Sequence, residues 1–228
     1  MNLPKRFARG QLNTLKTMAP FKKMTPSLKI VKLGGSLLDF PNLTLNFHHW
    51  LTQETAGRHI VIVGGGQMVE EIRQRQVALS WSDEECHERA LIAMRDNSQI
   101  AAKRLDLPWT DDQASLHRWI NDQAIPLNPM EKGTIPSKVA TLIFDSSAMA
   151  SVDLSLPKCW DLTSDSLAAW FAHRIGAREL ILLKSRGAPK GWRPLSQGFE
   201  DWVDPLFPKF ALGLKVTSVN LRAPRENL

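Results

Sequence analysis

The stretches "LKIVKLGGS" (residues 28–36) and "HIVIVGGGQMVEEIRQRQVAL" (residues 59–79) both run from an apolar strand into a glycine turn. In the second, β-branched residues stop at Gly64, Gly65 and Gly66, and a helical apolar period resumes at Met68, Val69 and Ile72. Strand, glycine turn and helix in succession form the repeating unit of a sheet whose strands run parallel and whose faces are covered by helices. Two such units close together predict an α/β fold with an open, mainly parallel sheet.

The rest of the chain continues the alternation. "WSDEECHERALIAMRDNSQIAAKRL" reads as a long helix, with Ser82 and Glu85 spaced as a capping box and Ala90, Leu91, Met94 and Ile100 roughly on one face. "HRWINDQAIPLNP" reads as a short amphipathic piece and a turn, and "EKGTIPS" as a loop. "KVATLIF", "ELILLKS" and "KVTSVNL" read as strands, the middle one bounded by Gly176 and Gly187. Between the first two lies "LTSDSLAAWFAHRIG", polar residues followed by an apolar helix. Pro205 and Pro208 argue against a continuous helix through "DWVDPLFPKFALGL".

A chain of 228 residues with 43% hydrophobic content buries a full core, and one large domain over residues 28–228 is expected. Seven of its 29 lysines and arginines lie in residues 1–29, which hold no acid, leaving 22 against 23 acidic residues from residue 30 onward. Residues 1–27 therefore read as a basic N-terminal arm, and the near-neutral body is not one built to hold nucleic acid. Scattered tryptophans, uninterleaved with basic residues, point the same way. No run of about 18 apolar residues suggests a membrane span. Cys86 and Cys159 lack the spacing of a zinc site or redox pair and read as reduced thiols of a cytoplasmic protein. No His, Asp or Glu set has metal-ligand spacing.

A glycine turn at the carboxyl end of a strand lets backbone N–H groups approach a phosphate, and a following helix adds partial positive charge. One such turn more often only closes a loop. Two in successive units lie where open α/β sheets bind ligands and together point to a polyphosphate site. Lys32 agrees with this. A lysine within an apolar strand is costly unless its ammonium reaches water or an anion, and Lys32 stands just before Gly34 and Gly35. The plainer alternative is an edge-strand lysine that snorkels to solvent. The P-loop, the dinucleotide fingerprint and the protein-kinase motifs are all missing.

"IVKLGGSLL", "IVIVGGG" and "LTSDSLAAWFAHRIGARELILLKS", in this order, resemble the amino acid kinase family, and the resemblance covers nearly the whole chain after residue 27. It implies a three-layer αβα sandwich, the carbamate kinase-like fold, whose N-terminal half binds a phosphoryl acceptor and whose C-terminal half binds ATP. It implies that Lys32 neutralises the transferred phosphoryl group, that Gly35 and Gly65 hold its oxygens through their N–H groups, and that Asp165 organises the surrounding lysines. Gly34, Ser36 and Lys184 are then expected on ATP and phosphate, and Gly64, Gly66, Asp161 and Ser164 on the acceptor. Magnesium would arrive with ATP, and a homo-oligomer is expected.

Within the family, "LPKCWDLTSDSLAAW" is most similar to small members that phosphorylate [5-(aminomethyl)furan-3-yl]methyl phosphate for methanofuran-type one-carbon cofactor synthesis. That gives a small phosphate monoester, or else a carboxylate, as acceptor. Uridylate- or isopentenyl-phosphate-type activity and a non-catalytic nucleotide-binding module are the alternatives. The chain departs from the family after "LILL", where "KSRGAPKGW" replaces the usual acidic turn, so that Lys184, Lys190 and Lys209 all compete as second lysine, with Lys184 preferred.

Three further expectations concern the neighbourhood of this site. Trp160 could set its indole against a planar ring. His87 and Met94 share a face of the helix after the second glycine turn, where the resemblance places the acceptor, an ordinary core or surface position being the plainer reading. Thr163 or Ser164 is expected to cap the helix that Asp165 opens, Ser164 being preferred.

Overall fold

Side chains alternate across a strand, so Val31 and Leu33 of β1 (Leu28–Leu33) must face one side of the sheet while Ile30 and Lys32 face the other. The computed structural model, which describes residues 28–121 and 139–224, shows this division. Ile30 packs with Ile60, Ile62, Leu142, Phe144, Leu180 and Leu182 in one buried cluster. Val31 and Leu33 pack with Val61, Val63, Ile143, Ile181 and Leu183 in a second. The basic arm and the loop "EKGTIPS" lie outside the described residues.

β1 pairs with β2 (Gly57–Val63) on one side and with β5 (Glu179–Lys184) on the other. Beyond β2 come β4 (Val139–Phe144) and the two-residue β3 (Trp109–Thr110), and beyond β5 comes β6 (Lys215–Asn220). The order is β3-β4-β2-β1-β5-β6, and every pairing is parallel. The connection from β1 runs to β2 on one side and that from β5 runs to β6 on the other, so a crevice opens at the carboxyl ends of these neighbouring strands, where ligands bind in open α/β sheets.

On one face lies α6 (Ser164–Ile175), whose Leu167, Ala168, Phe171 and Ala172 fill the first cluster. On the other lies α1 (Leu43–Gln53), with Leu43, Phe47, Trp50 and Leu51 at helical spacing. This is the three-layer sandwich expected from the sequence. After the second glycine turn, α2 (Gly66–Leu79) buries none of its residues and rests on α3 (Asp83–Leu105). The capping box of Ser82 and Glu85 forms, with the Glu85 N–H reaching Ser82 Oγ at 3.1 Å and the Ser82 N–H reaching Glu85 Oε2 at 2.8 Å. Ile100 departs from the expected face of α3 and is exposed. Nine positions beyond Leu91 is about half a turn out of phase at 3.6 residues per turn.

α4 (Gln113–Asn121), α5 (Ser147–Val152) and the short α7 (Phe207–Phe210) complete the described elements. Pro208 stands in the first turn of α7, a position proline tolerates, and the helix runs only four residues. None of the described helices is long and apolar enough to cross a membrane.

Candidate active site

Lys32 shares its sheet face with Ile30, and Lys184 shares the same face with Leu180 and Leu182, one strand away. That face is covered by α6, whose first turn carries Asp165. The three side chains meet there. Lys32 Nζ lies 2.8 Å from Asp165 Oδ1 and Lys184 Nζ lies 2.6 Å from Oδ2. Lys32 is thus a central-strand lysine with an anionic partner, not an edge residue snorkelling to solvent.

All three groups are largely buried, so their charges act on one another strongly. Burial pushes the Asp165 carboxyl up, but the two ammonium groups outweigh it and hold it below the ordinary carboxylate value. Burial lowers Lys184 to about 8, with Asp165 opposing the shift and Lys32 adding to it. The Lys184 ammonium also donates to the Trp202 carbonyl at 2.6 Å. Among the competing lysines, Lys190 is exposed and Lys209 lies over the ring of Phe210, whereas Lys184 stands in the cluster.

The two glycine turns touch beside these lysines. A Cβ on Gly35 would come 2.2 Å from Gly66 N and 2.4 Å from the Gly64 carbonyl oxygen, so only glycine fits. Gly66 has φ +54°, the left-handed conformation that glycine adopts without steric cost. The Gly34 N–H donates to the Leu183 carbonyl and the Gly64 N–H to the Leu33 carbonyl, both at 2.9 Å. Those two extend the sheet, leaving the N–H groups of Gly35 and Gly65 without partners among the described residues. Asn97 of α3 fixes the second turn, its Nδ2 donating to the carbonyls of Gly64 at 2.9 Å and Gly65 at 2.8 Å.

Two hollows meet at this point. A polar cleft of about 600 Å³ is lined by Lys32, Gly34, Gly35, Ser36, Lys184, Arg186, Trp202 and Arg222. A smaller, mostly apolar cavity of about 190 Å³ is lined by Gly65, Arg73, His87, Leu91, Met94, Cys159, Trp160 and Leu162. Gly66, Glu70 and Ser164 border both. The cleft lies over strand ends, and the cavity lies between α2, α3 and the segment leading into α6. Trp160 is pinned there by a 2.6 Å bond from its Nε1 to Gln76 Oε1, with the Arg73 guanidinium 4.6 Å from its ring.

Ser36 is held to the other half of the sheet. Its hydroxyl donates to Ser185 Oγ at 3.2 Å, and its carbonyl accepts from Arg222 at 2.9 Å. Asp161 is exposed and borders neither hollow. Its carbonyl accepts from the Leu206 N–H.

The cap of α6 differs from the expectation. Neither Thr163 nor Ser164 accepts a bond from the first helical N–H groups; Ser164 is already the first helical residue. The capping oxygen comes from Asp204. Its Oδ2 accepts from Thr163 N at 3.2 Å, from Thr163 Oγ1 at 2.8 Å and from Ser166 N at 3.0 Å, while Oδ1 accepts the Ser166 hydroxyl. Burial, and then the nearby Asp165 charge, push the Asp204 carboxyl up. Ser164 Oγ would lie 2.8 Å from a Cβ on Gly64, so its hydroxyl faces the glycine turns.

Asn97, Trp202, Asp204 and Arg222 were not marked by any sequence motif. Asn97 alone carried a signal, as a polar residue on the apolar side of a long helix.

No protein-family model matches the chain. [5-(Aminomethyl)furan-3-yl]methyl phosphate kinase of Methanocaldococcus jannaschii is 26% identical over 155 residues, which are 68% of this chain and 64% of that protein. The matched region thus spans less than two thirds of that curated relative's length. Among solved structures, uridylate kinase from Archaeoglobus fulgidus superposes with a TM-score of 0.54 at 17% identity, covering 87% of this chain and 92% of that one. UMP kinase from Ureaplasma parvum gives 0.54 at 11% identity, over 87% and 92%. UMP kinase from Bacillus anthracis gives 0.55 at 12%, over 87% and 88%. The fold is that of the amino acid kinases, as the sequence resemblance implied.

Proposed function

We propose that the chain is an ATP-dependent kinase that phosphorylates a small phosphate monoester. The observation that carries this reading is the Asp165 carboxylate held at 2.8 and 2.6 Å between two lysines, Lys32 and Lys184, that line a cleft bordered by two glycine turns. Phosphoryl transfer needs little covalent help from a protein. It needs positioned reactants and fixed positive charge around the transferred group.

In this reading the nucleotide phosphates occupy the polar cleft, and the acceptor occupies the small cavity. An oxygen of the acceptor phosphate attacks the γ-phosphorus, the bond to the bridging oxygen breaks, and ADP leaves. Lys32 and Lys184 balance the charge of the transferred group, Asp165 sets their separation, and the N–H groups of Gly35 and Gly65 donate to its oxygens. Gly34, Ser36 and Gly66 shape the floor, and Ser164 stands at the boundary between donor and acceptor. Asp161, exposed and away from both hollows, is left with the backbone bond that ties Leu206 to this segment.

The described residues contain no group of three His, Cys, Asp or Glu suited to holding a metal ion. Magnesium would accordingly be bound mainly by the nucleotide phosphates and water, as that ion prefers, with Asp39, Glu70 and Asp201 the carboxylates that line the cleft. It would supply charge neutralisation.

For the acceptor we favour [5-(aminomethyl)furan-3-yl]methyl phosphate, the compound in the name of the Methanocaldococcus jannaschii relative. Cavity size supports it over uridylate: a cavity of about 150 Å³ holds benzene, and about 190 Å³ suits one ring with short substituents better than a nucleoside. A homo-oligomer is supported by the exposed Val77, Leu79 and Ile92 on α2 and α3.

The test is ADP formation from ATP with this furan phosphate, UMP and isopentenyl phosphate in parallel. ADP formation with the furan phosphate, absent in Lys32→Ala, is expected. ATP binding with no ADP formed from any acceptor would instead support a non-catalytic nucleotide-binding module.

A further inference from the structure

The small cavity is bordered by a fully buried side-chain nitrogen that has no hydrogen-bond partner among the described residues. His87, on the second turn of α3, is 5% exposed, and its Nε2 is buried with no hydrogen bond from the described residues. Neighbouring polar groups are differently placed. Trp160 Nε1 is bonded to Gln76, Thr163 Oγ1 donates to Asp204, and Arg73 faces Glu70 at 3.5 Å. A buried polar atom without a partner destabilises the protein by itself, and such atoms in native proteins call for an explanation.

The position of His87 supplies one. It borders the small cavity and does not border the cleft, so it lies on the side away from the transferred phosphoryl group. Leu91, Met94 and Leu162 line the same cavity, so a ligand atom in contact with Nε2 would meet few competing polar partners. We propose that His87 is the acceptor-selecting residue, its Nε2 hydrogen-bonding an amine carried by a single-ring phosphate monoester at the end opposite the phosphate. This rests on the acceptor reading above.

Two features favour an amine over an anionic substituent. Burial lowers the imidazole pKa, so the ring is neutral at pH 7 and offers a lone pair. Among the charges acting on His87, Glu88 and Glu84 outnumber Lys158, which pairs with both at 3.0 and 2.8 Å. Both carboxylates favour positive charge beside His87.

The experiment compares wild type, His87→Leu and His87→Gln on [5-(aminomethyl)furan-3-yl]methyl phosphate and on its counterpart with methyl in place of aminomethyl. Wild type is expected to prefer the amine by about tenfold or more in kcat/KM, mainly through KM. His87→Leu should narrow that preference to within about threefold, leave KM for ATP unchanged, and match or exceed wild type in Tm, since a partnerless buried polar atom has been removed. His87→Gln, which keeps a hydrogen-bonding end, should recover part of the preference. Full preference in His87→Leu, or a Tm lowered by several degrees, would overturn the proposal, the latter by showing that the imidazole is satisfied within the fold. Turnover of other phosphate monoesters but of neither furan overturns this proposal alone. Absence of turnover with any phosphate monoester overturns the kinase reading itself.

Discussion

Asp204 Oδ2 accepts the Thr163 hydroxyl at 2.8 Å across 41 positions of sequence. Through this bond, the segment after β5 caps the helix that carries Asp165. Asp204→Ala should therefore act twice. Three further donors of the first turn of α6 lose their partner, lowering stability by about 1–3 kcal/mol, and the neighbouring Asp165 loses its fixed position, lowering kcat more than it raises KM for ATP. Thermal unfolding and steady-state kinetics on one preparation check both.

Asp165→Asn removes charge while keeping shape. Two buried ammonium groups then face each other without their shared anion, and breaking a buried pair costs about 3–5 kcal/mol. A lower Tm together with a kcat reduced by about a hundredfold or more is expected. A stable, fully active variant would return Asp165 to a merely structural place.

Burial lowers Lys184 to about 8, because it disfavours the charged form more than Asp165 supports it. Its charge is present below that pH and lost above it. The profile of kcat/KM for ATP, which reports the free enzyme, should fall on the alkaline side from about pH 8. Lys184→Arg, always charged, should remove that limb whatever its effect on the maximum rate.

His59 concerns stability rather than activity. It is fully buried, stacks on Trp50 at 5.7 Å, and is lowered to about 3 by burial and then by Lys29. The folded protein therefore keeps it neutral, while the unfolded chain protonates below its ordinary 6.5. Its contribution is complete above about pH 6.5 and is lost as pH falls toward 3, by up to about 1.4 kcal/mol per pH unit. Urea unfolding at pH 7, 5 and 4 measures this slope, and His59→Phe should flatten it.

Gly35→Ala tests the contact of the two turns. Its Cβ would overlap Gly66 N at 2.2 Å, and neither partner is a flexible side chain. The turns must separate, so loss of ATP binding with a lowered Tm is expected from calorimetry.

The strands, the glycine turns, the long α3 with its capping box and the position of α6 were legible in the sequence, because each is written in local period and local turn chemistry. Strand β3 was not, since two residues leave no period to read, and its pairing with β4 is decided by the sheet. Lys32 was legible as an anomaly, a charge in an apolar strand. Lys184 was only one of three candidates until register placed it on the same sheet face. Asp204 was illegible for a different reason. Local reading assigned the α6 cap to the hydroxyls beside it, whereas the oxygen that fills the role arrives from the far side of β5, next to a proline in an irregular stretch.

The separation of the two hollows by Ser164 and Gly66 has a consequence for how such a protein diversifies. Lys32, Lys184 and Asp165 sit on strand ends and on the first turn of α6, whereas the walls of the small cavity come largely from α2, α3 and residues 159–163, which contribute no strand. Drift in those walls alters what is recognised while the reaction centre is inherited intact. A lineage on this framework is free to change its clientele without reinventing its chemistry.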